Sequence, residues 1–155
     1  MPISPQTEHV IRPARAEERP ALIELQRRAS LMHAAYREAI VAHPEAVDLP
    51  AAQIADRSVL VAEADGRVAG FIVVLPSGAE AEIDGLFVEP ELWRRGIGRT
   101  LMAAGEEAAR RLGITRLCVI AAPEAEAFYA ACGFVTTGPE RTPFGPAIRM
   151  RKNLP

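Results

Sequence analysis

The six residues Arg94 to Arg99, Arg-Arg-Gly-Ile-Gly-Arg, set three guanidinium groups around two glycines one residue apart. An apolar run, Leu86-Phe87-Val88, comes shortly before them and an amphipathic segment follows. Such a corner suits an anion. A helix that starts at a strand end exposes unpaired N–H groups with partial positive charge, and glycine lets a ligand come close to that backbone. Arg94, Arg95 and Arg99 add full charges, and the whole describes a pyrophosphate cradle at the carboxyl end of a strand, where open α/β sheets hold their ligands. The plainer alternative is that Gly96 and Gly98 only ease a turn. Two standard nucleotide loops do not fit: the dinucleotide fingerprint needs a small residue at position 101, which is Leu101, and no Gly-Lys-Ser/Thr of a Walker loop occurs.

Acid–base chemistry has fewer candidates. Glu82 and Asp84 lie two apart in a strand pattern, so they share a face. Tyr129 follows Phe128 in a short helical pattern. His33, Tyr36, Arg37, Glu38 and His43 fall in a segment with no clear boundaries, and a lone histidine there is more often a surface or core residue than a catalytic one. No His, Cys or carboxylate group shows metal-ligand spacing, so no metal is expected.

These residues need elements to hold them. "HVIRPA" reads as a first strand and "AEERPALIELQRRAS" as a helix with Pro20 in its first turn and arginines near its end. Residues 31–56 are helical in part and broken by "AHPEAVDLP". Two β-branched runs flank Asp65-Gly66, which predicts an antiparallel hairpin. A third strand, "AEIDGLFV", is interrupted by Gly85, a mark of a β-bulge or a close approach. From Arg99 to Leu112, the residues Leu101, Met102, Gly105, Ala108, Ala109 and Leu112 form one apolar helix face, closed by Gly113. "TRLCVIAA" follows as a buried strand, and the helix before it is long enough for a crossover that sets it parallel to "AEIDGLFV". A short helix begins at Pro123 and ends before Gly133, and "FVTTG" and "PAIRMRKN" supply final strands. The expected fold is α/β in the mixed, α+β sense: a mostly antiparallel sheet of six to seven strands flanked by helices, with a parallel pair at the cleft.

The chain has 155 residues, enough for one domain with a core, and 1–155 is read as that domain with an ordered part at about 8–152. Apolar residues make up 49% and charged residues 25%, with a formal net charge of -2, which speaks against disorder and against a polybasic nucleic-acid binder. The proline-rich start carries no apolar core for a secretory signal or membrane span. Cys118 and Cys132 lack CxxC spacing and read as small core residues of a reduced, cytoplasmic protein.

"VEPELWRRGIGRTLM" resembles the central motif of the GNAT superfamily, the acetyl-CoA-dependent N-acetyltransferases, and "AEAFYAACGF" resembles its later motif. Both stand in the family's order, as do "IRPA" and the Asp-Gly hairpin. The resemblance implies that Leu86, Phe87 and Val88 pair with the pantetheine arm of coenzyme A. It implies that the amides of Arg94, Arg95, Gly96, Ile97, Gly98 and Arg99 hold the pyrophosphate, with Thr100 in the first helical turn. Tyr129 is implied as the general acid and Glu82 as the base, acting through water. The implied reaction is direct acetyl transfer from acetyl-CoA to a primary amine, on a small molecule or a peptide; a non-catalytic acyl-CoA-binding module is the rival. The class allows a homodimer. Two positions depart from the family: Trp93 stands where a polar residue is usual, and Ala122 where many relatives have asparagine.

Overall fold

Asp65 and Gly66 both take positive φ, 54° and 75°, the geometry of a two-residue type I′ turn. In the computed structural model, which describes residues 9–155, this turn joins β2 (Val59–Ala64) to β3 (Arg67–Ser77) as the expected hairpin. The proline-rich opening, residues 1–8, on which the reading of no secretory signal partly rests, lies outside the described residues. The other strands are β1 (Val10–Pro13), β4 (Glu80–Val88), β5 (Arg116–Ala121), β6 (Val135–Thr142) and β7 (Gly145–Asn153). They form one seven-stranded sheet in the order β1-β2-β3-β4-β5-β7-β6, and β4 with β5 is its one parallel pair. The mixed fold class follows as expected.

Helices cover both faces of the sheet. Central β3 is buried continuously from Ala69 to Val74, as a strand covered on both sides must be. Its Phe71 and Val73 pack with Leu22 and Leu25 of α1 (Arg19–Ser30), while Ile72 and Val74 pack with Leu101 and Met102 of α4 (Ile97–Arg111). Each fully buried side chain of this kind contributes about 1.5–3 kcal/mol. Gly105 sets the helix-to-sheet spacing, since a Cβ there would stand 2.9 Å from Ile72 Cδ1.

Three expectations are corrected in detail. Helix α4 starts at Ile97, two residues before the sequence pattern suggests, because Gly96 takes the left-handed N-cap position at φ 82°. Leu112 is exposed rather than part of the apolar face: the helix ends at Arg111, Gly113 turns the chain at φ 79°, and Ile114 is buried instead. Cys118 and Cys132 are partly exposed rather than core, since Cys118 alternates with the buried Leu117 and Val119 and Cys132 caps the C-terminus of α5 (Glu126–Ala131). The segment whose boundaries the sequence leaves open holds α2 (Ala34–Ala42), a 3-10 turn at Pro44–Ala46 and α3 (Ala51–Ala55). Pro44 ends α2, as a proline does when it removes a donor and crowds the preceding turn.

The feature that matters most for function is in β4. Val73 pairs with Gly85 and Val74 with Ile83, so Asp84 is the extra residue of a bulge. Pairing of β4 with β5 stops at Ile83 with Val119, and the two strands part beyond it. On the α4 side a partly buried ion pair pins the far half of the sheet: Lys152 Nζ of β7 donates to Glu106 Oε1 and to the Cys132 carbonyl, both at 2.7 Å.

Candidate functional site

Beyond the bulge, Glu89 N–H donates to the Ala69 carbonyl of β3 at 2.9 Å. Peptide groups alternate along a strand. The groups of Phe87 therefore face β3, where Phe87 pairs with Phe71, and those of Leu86 and Val88 face the gap left by β5. Of the three residues expected to offer their backbone, two present it to the gap, while Phe87 packs its ring on Phe71 at 5.3 Å.

The chain then makes a 3-10 turn at Pro90–Leu92 and passes through two left-handed residues, Arg94 at φ 68° and Gly96 at φ 82°. The first intrahelical bond of α4 runs from Thr100 N–H to the Gly96 carbonyl at 3.0 Å, so the N–H groups of Ile97, Gly98 and Arg99 have no helical acceptor. The Thr100 hydroxyl donates to that same carbonyl at 3.0 Å. Among the described residues, none of Arg94, Arg95 and Arg99 is paired with a carboxylate. A Cβ on Gly98 would stand 3.1 Å from the Phe128 ring, so glycine is what lets α4 begin against α5.

These parts enclose a cleft of about 510 Å³. Leu86, Phe87 and Val88 form one wall, Arg94, Gly96, Ile97, Gly98 and Arg99 another, and Tyr129 is reached from α5. Arg95 and Thr100 face a different depression, about 1030 Å³, across the β2–β3 hairpin beside the Arg28–Glu89 ion pair. That depression is the larger, but the smaller one holds Tyr129 and the unpaired strand edge.

Tyr129 is buried, with Phe128 and Phe134 edge-on to its ring at 5.2 and 5.6 Å. Burial, with a small addition from Cys132, pushes its phenol well above the usual tyrosine range. Glu82 and Asp84 share an exposed face of β4, as their spacing predicts, but neither lines the cleft. Partial desolvation, then the neighbouring Asp84, raises the Glu82 carboxyl above its ordinary value.

Trp93 keeps one polar contact, through its ring nitrogen. Its indole N–H donates to the Val88 carbonyl at 2.8 Å, and its ring stacks with His33 at 6.2 Å and 29°. Ala122 follows the end of β5 and is buried, and the first polar side chain after it, Glu124, lines the cleft. His33 lines it as well, with Nδ1 3.9 Å from Glu124 Oε2. Glu124 carries no motif and escapes sequence reasoning, because only the return of β5 to the α1–α2 turn brings it to His33. Tyr36, edge-on to His33, donates its hydroxyl to the Pro146 carbonyl at 3.1 Å and packs on Phe144 at 6.1 Å, which ties α2 to the β6–β7 turn. His43 points elsewhere, exposed beside Glu45. No group of three or more His, Cys or carboxylate residues that could hold a metal, and no helix long and apolar enough to cross a membrane, occurs among the described residues.

Comparison with known proteins bears on the family and the fold. Residues 22–134 match the family model described as Acetyltransferase (GNAT) family. Among solved structures, the PaiA N-acetyltransferase from Thermoplasma acidophilum, in complex with coenzyme A, is similar at a TM-score of 0.81 and 23% identity, over 95% of this chain and 99% of that one. The yncA protein of Salmonella typhimurium, solved with its cofactor acetyl-CoA, gives 0.71 and 23% over 96% and 95%. The ribosomal-protein-S18-alanine N-acetyltransferase of Escherichia coli gives 0.70 and 20% over 94% of each chain. At these identities the likeness carries the fold alone. No curated protein matches the chain.

Proposed function

The chain belongs to the GNAT acetyltransferase family, and from that premise we propose that it is a single-domain N-acetyltransferase that moves an acetyl group from acetyl-CoA to a primary amine by direct attack in a ternary complex. One observation carries this reading: an unpaired strand edge opens beside a loop of free amides and unpaired arginines, with a buried tyrosine at the same cleft. The absent side chain at Gly98 supports the fit of coenzyme A, because a Cβ there would crowd the Phe128 ring that lines the same cleft.

In this proposal Leu86 and Val88 offer peptide groups to the extended arm, and Phe87 holds the strand in place from behind. The amides of Ile97, Gly98 and Arg99 meet the pyrophosphate, helped by the charges of Arg94 and Arg99 and by the α4 dipole. Arg95 contributes main chain to the loop, and Thr100 fixes the Gly96 carbonyl so that the amides stay presented. Acetyl-CoA supplies an acyl group activated as a thioester. Tyr129, kept protonated by its burial, is placed as the acid for the departing sulfur. The attacking amine must also give up a proton; the resemblance implies Glu82, acting through water, as its acceptor, but Glu82 does not line the cleft. Holding both reactants in one cleft contributes about 7–11 kcal/mol through orientation, against ~10²–10⁴ in rate for each acid or base.

Thermal denaturation with acetyl-CoA tests the binding half, since ligand at 100 times its dissociation constant adds ~2.7 kcal/mol of stability. Thiol release over a panel of amines tests the transfer half. No stabilisation at millimolar acetyl-CoA would end the proposal; stabilisation without turnover on any amine would leave a non-catalytic acyl-CoA-binding module.

A further inference from the structure

Glu82, the base implied by resemblance, stands outside the cleft that holds Tyr129. His33, which no motif singles out, stands inside it. It lies in the short turn between α1 and α2, held on three sides: the Trp93 ring stacks on it at 6.2 Å, the Tyr36 ring meets it edge-on at 6.2 Å, and Glu124 Oε2 stands 3.9 Å from Nδ1. Trp93 is itself tied to the Val88 carbonyl, so the imidazole plane is referenced to the strand edge. A carboxylate facing Nδ1 favours the tautomer with its proton on Nδ1 and leaves Nε2 as a base. The base thus has a carboxylate on its Nδ1 side, 3.9 Å away and so acting through its charge rather than through a direct hydrogen bond, and aromatic rings on two other sides.

We propose that His33 is the residue that takes the proton from the attacking amine, with Glu124 as its positioning partner. The inference rests on the transferase reading above. In the step, the amine nitrogen bonds to the acyl carbon and the carbon–sulfur bond breaks. His33 Nε2 receives the proton leaving the nitrogen, and the Tyr129 hydroxyl gives one to the sulfur. Solvent returns the two residues to their starting states.

The electrostatics agree with that geometry. Burial holds the imidazole below its ordinary range and Glu124 partly opposes this, so His33 is neutral at neutral pH. The groups that face it are Glu124 from the turn after β5 and the Tyr36 phenol from α2; Arg94, Arg99 and Tyr129 are the other titratable or charged side chains of the cleft besides Glu124.

Two measurements test it. In the free protein, the imidazole proton shifts of His33 are followed against pH by NMR, assigned by their loss in His33→Gln; Glu124→Gln is expected to move the midpoint to lower pH. In the second, pH profiles of kcat/KM are compared for wild type, His33→Gln, Glu124→Gln and Glu82→Gln. His33→Gln is expected to lower kcat/KM ~10²-fold or more and to remove the acid limb, while acetyl-CoA still raises the melting temperature. Glu124→Gln shifts that limb by the amount seen in NMR. A His33→Gln enzyme with the wild-type profile, a limb lost only in Glu82→Gln, or a His33 midpoint insensitive to Glu124→Gln overturns the assignment and leaves the transferase intact. Absence of turnover in wild type despite the melting shift would overturn the transferase reading and this one with it.

Discussion

The indole N–H of Trp93 donates to the carbonyl of Val88 at 2.8 Å, so the turn before α4 is fastened to the strand edge it follows. A carbonyl has two lone pairs. Trp93 uses one and leaves the other free for a second donor.

Trp93→Phe keeps the aromatic ring against His33 and removes the donor. A half-exposed neutral hydrogen bond of this kind contributes about 0.5–1.5 kcal/mol. Urea denaturation is expected to show a loss in that range with an unchanged slope. Acetyl-CoA affinity is expected to fall severalfold as the turn loosens, and an unchanged affinity would mean that the loop is held by other contacts.

Gly98 and Gly96 are expected to fail differently. Alanine at Gly98 presses its methyl group on Phe128 at 3.1 Å, so that ring must yield by a few tenths of an ångström and disturbs Tyr129 through their edge-on contact. Its cost should appear in acetyl-CoA affinity and in turnover. Alanine at Gly96 meets open space but must hold φ 82°, at about 1–2 kcal/mol of backbone strain, and its cost should appear in the melting temperature of the free protein.

Glu106 is only 10% exposed in its side chain and takes Lys152 as its close partner. Lys152→Met removes that partner and leaves the Cys132 carbonyl without its donor, and with Arg110 still 3.5 Å from Glu106 the unpaired groups cost about 1–3 kcal/mol. The double variant Lys152→Met, Glu106→Leu should recover most of the loss in a denaturant series. No recovery would show that the carbonyl contact, and not the charge, is what Lys152 supplies.

Tyr129 links stability to alkali. Its phenol titrates higher in the folded chain than the ordinary value of 10.0, so the folded state binds the proton more tightly. The stabilisation is complete below pH 10.0 and is lost as pH rises above it. Wild type should therefore lose stability above that point faster than Tyr129→Phe, whereas near pH 7 the variant should lose turnover ~10²–10⁴-fold. Parallel alkaline stability curves would place the phenol in water.

The parts of the molecule legible in the sequence are those fixed by neighbours along the chain. Asp65-Gly66 announces its turn, Gly85 its bulge, and the spacing of Leu101, Met102 and Gly105 the buried face of α4. The parallel placement of β5 follows from the length of that helix. What stays hidden depends on distant returns of the chain. No local pattern brings Glu124 to His33, or turns the Arg95 side chain away from the cleft that Arg94 and Arg99 line. The early start of α4 is hidden for another reason: glycine in a left-handed N-cap leaves no side-chain signature.

The parting of β4 and β5 has a consequence for life without a ligand. A strand edge with free amides and carbonyls accepts an extended peptide from any source, which makes it a nucleus for self-association. Most sheets carry such edges only at their borders; this one carries a second inside, at Leu86 and Val88. Trp93 blunts it by occupying the Val88 carbonyl, and Pro90 ends the strand soon after. The ligand-free chain is thereby guarded against its own open edge, and in the proposed function a donor arm lying along Leu86 and Val88 would complete the guard as the missing strand.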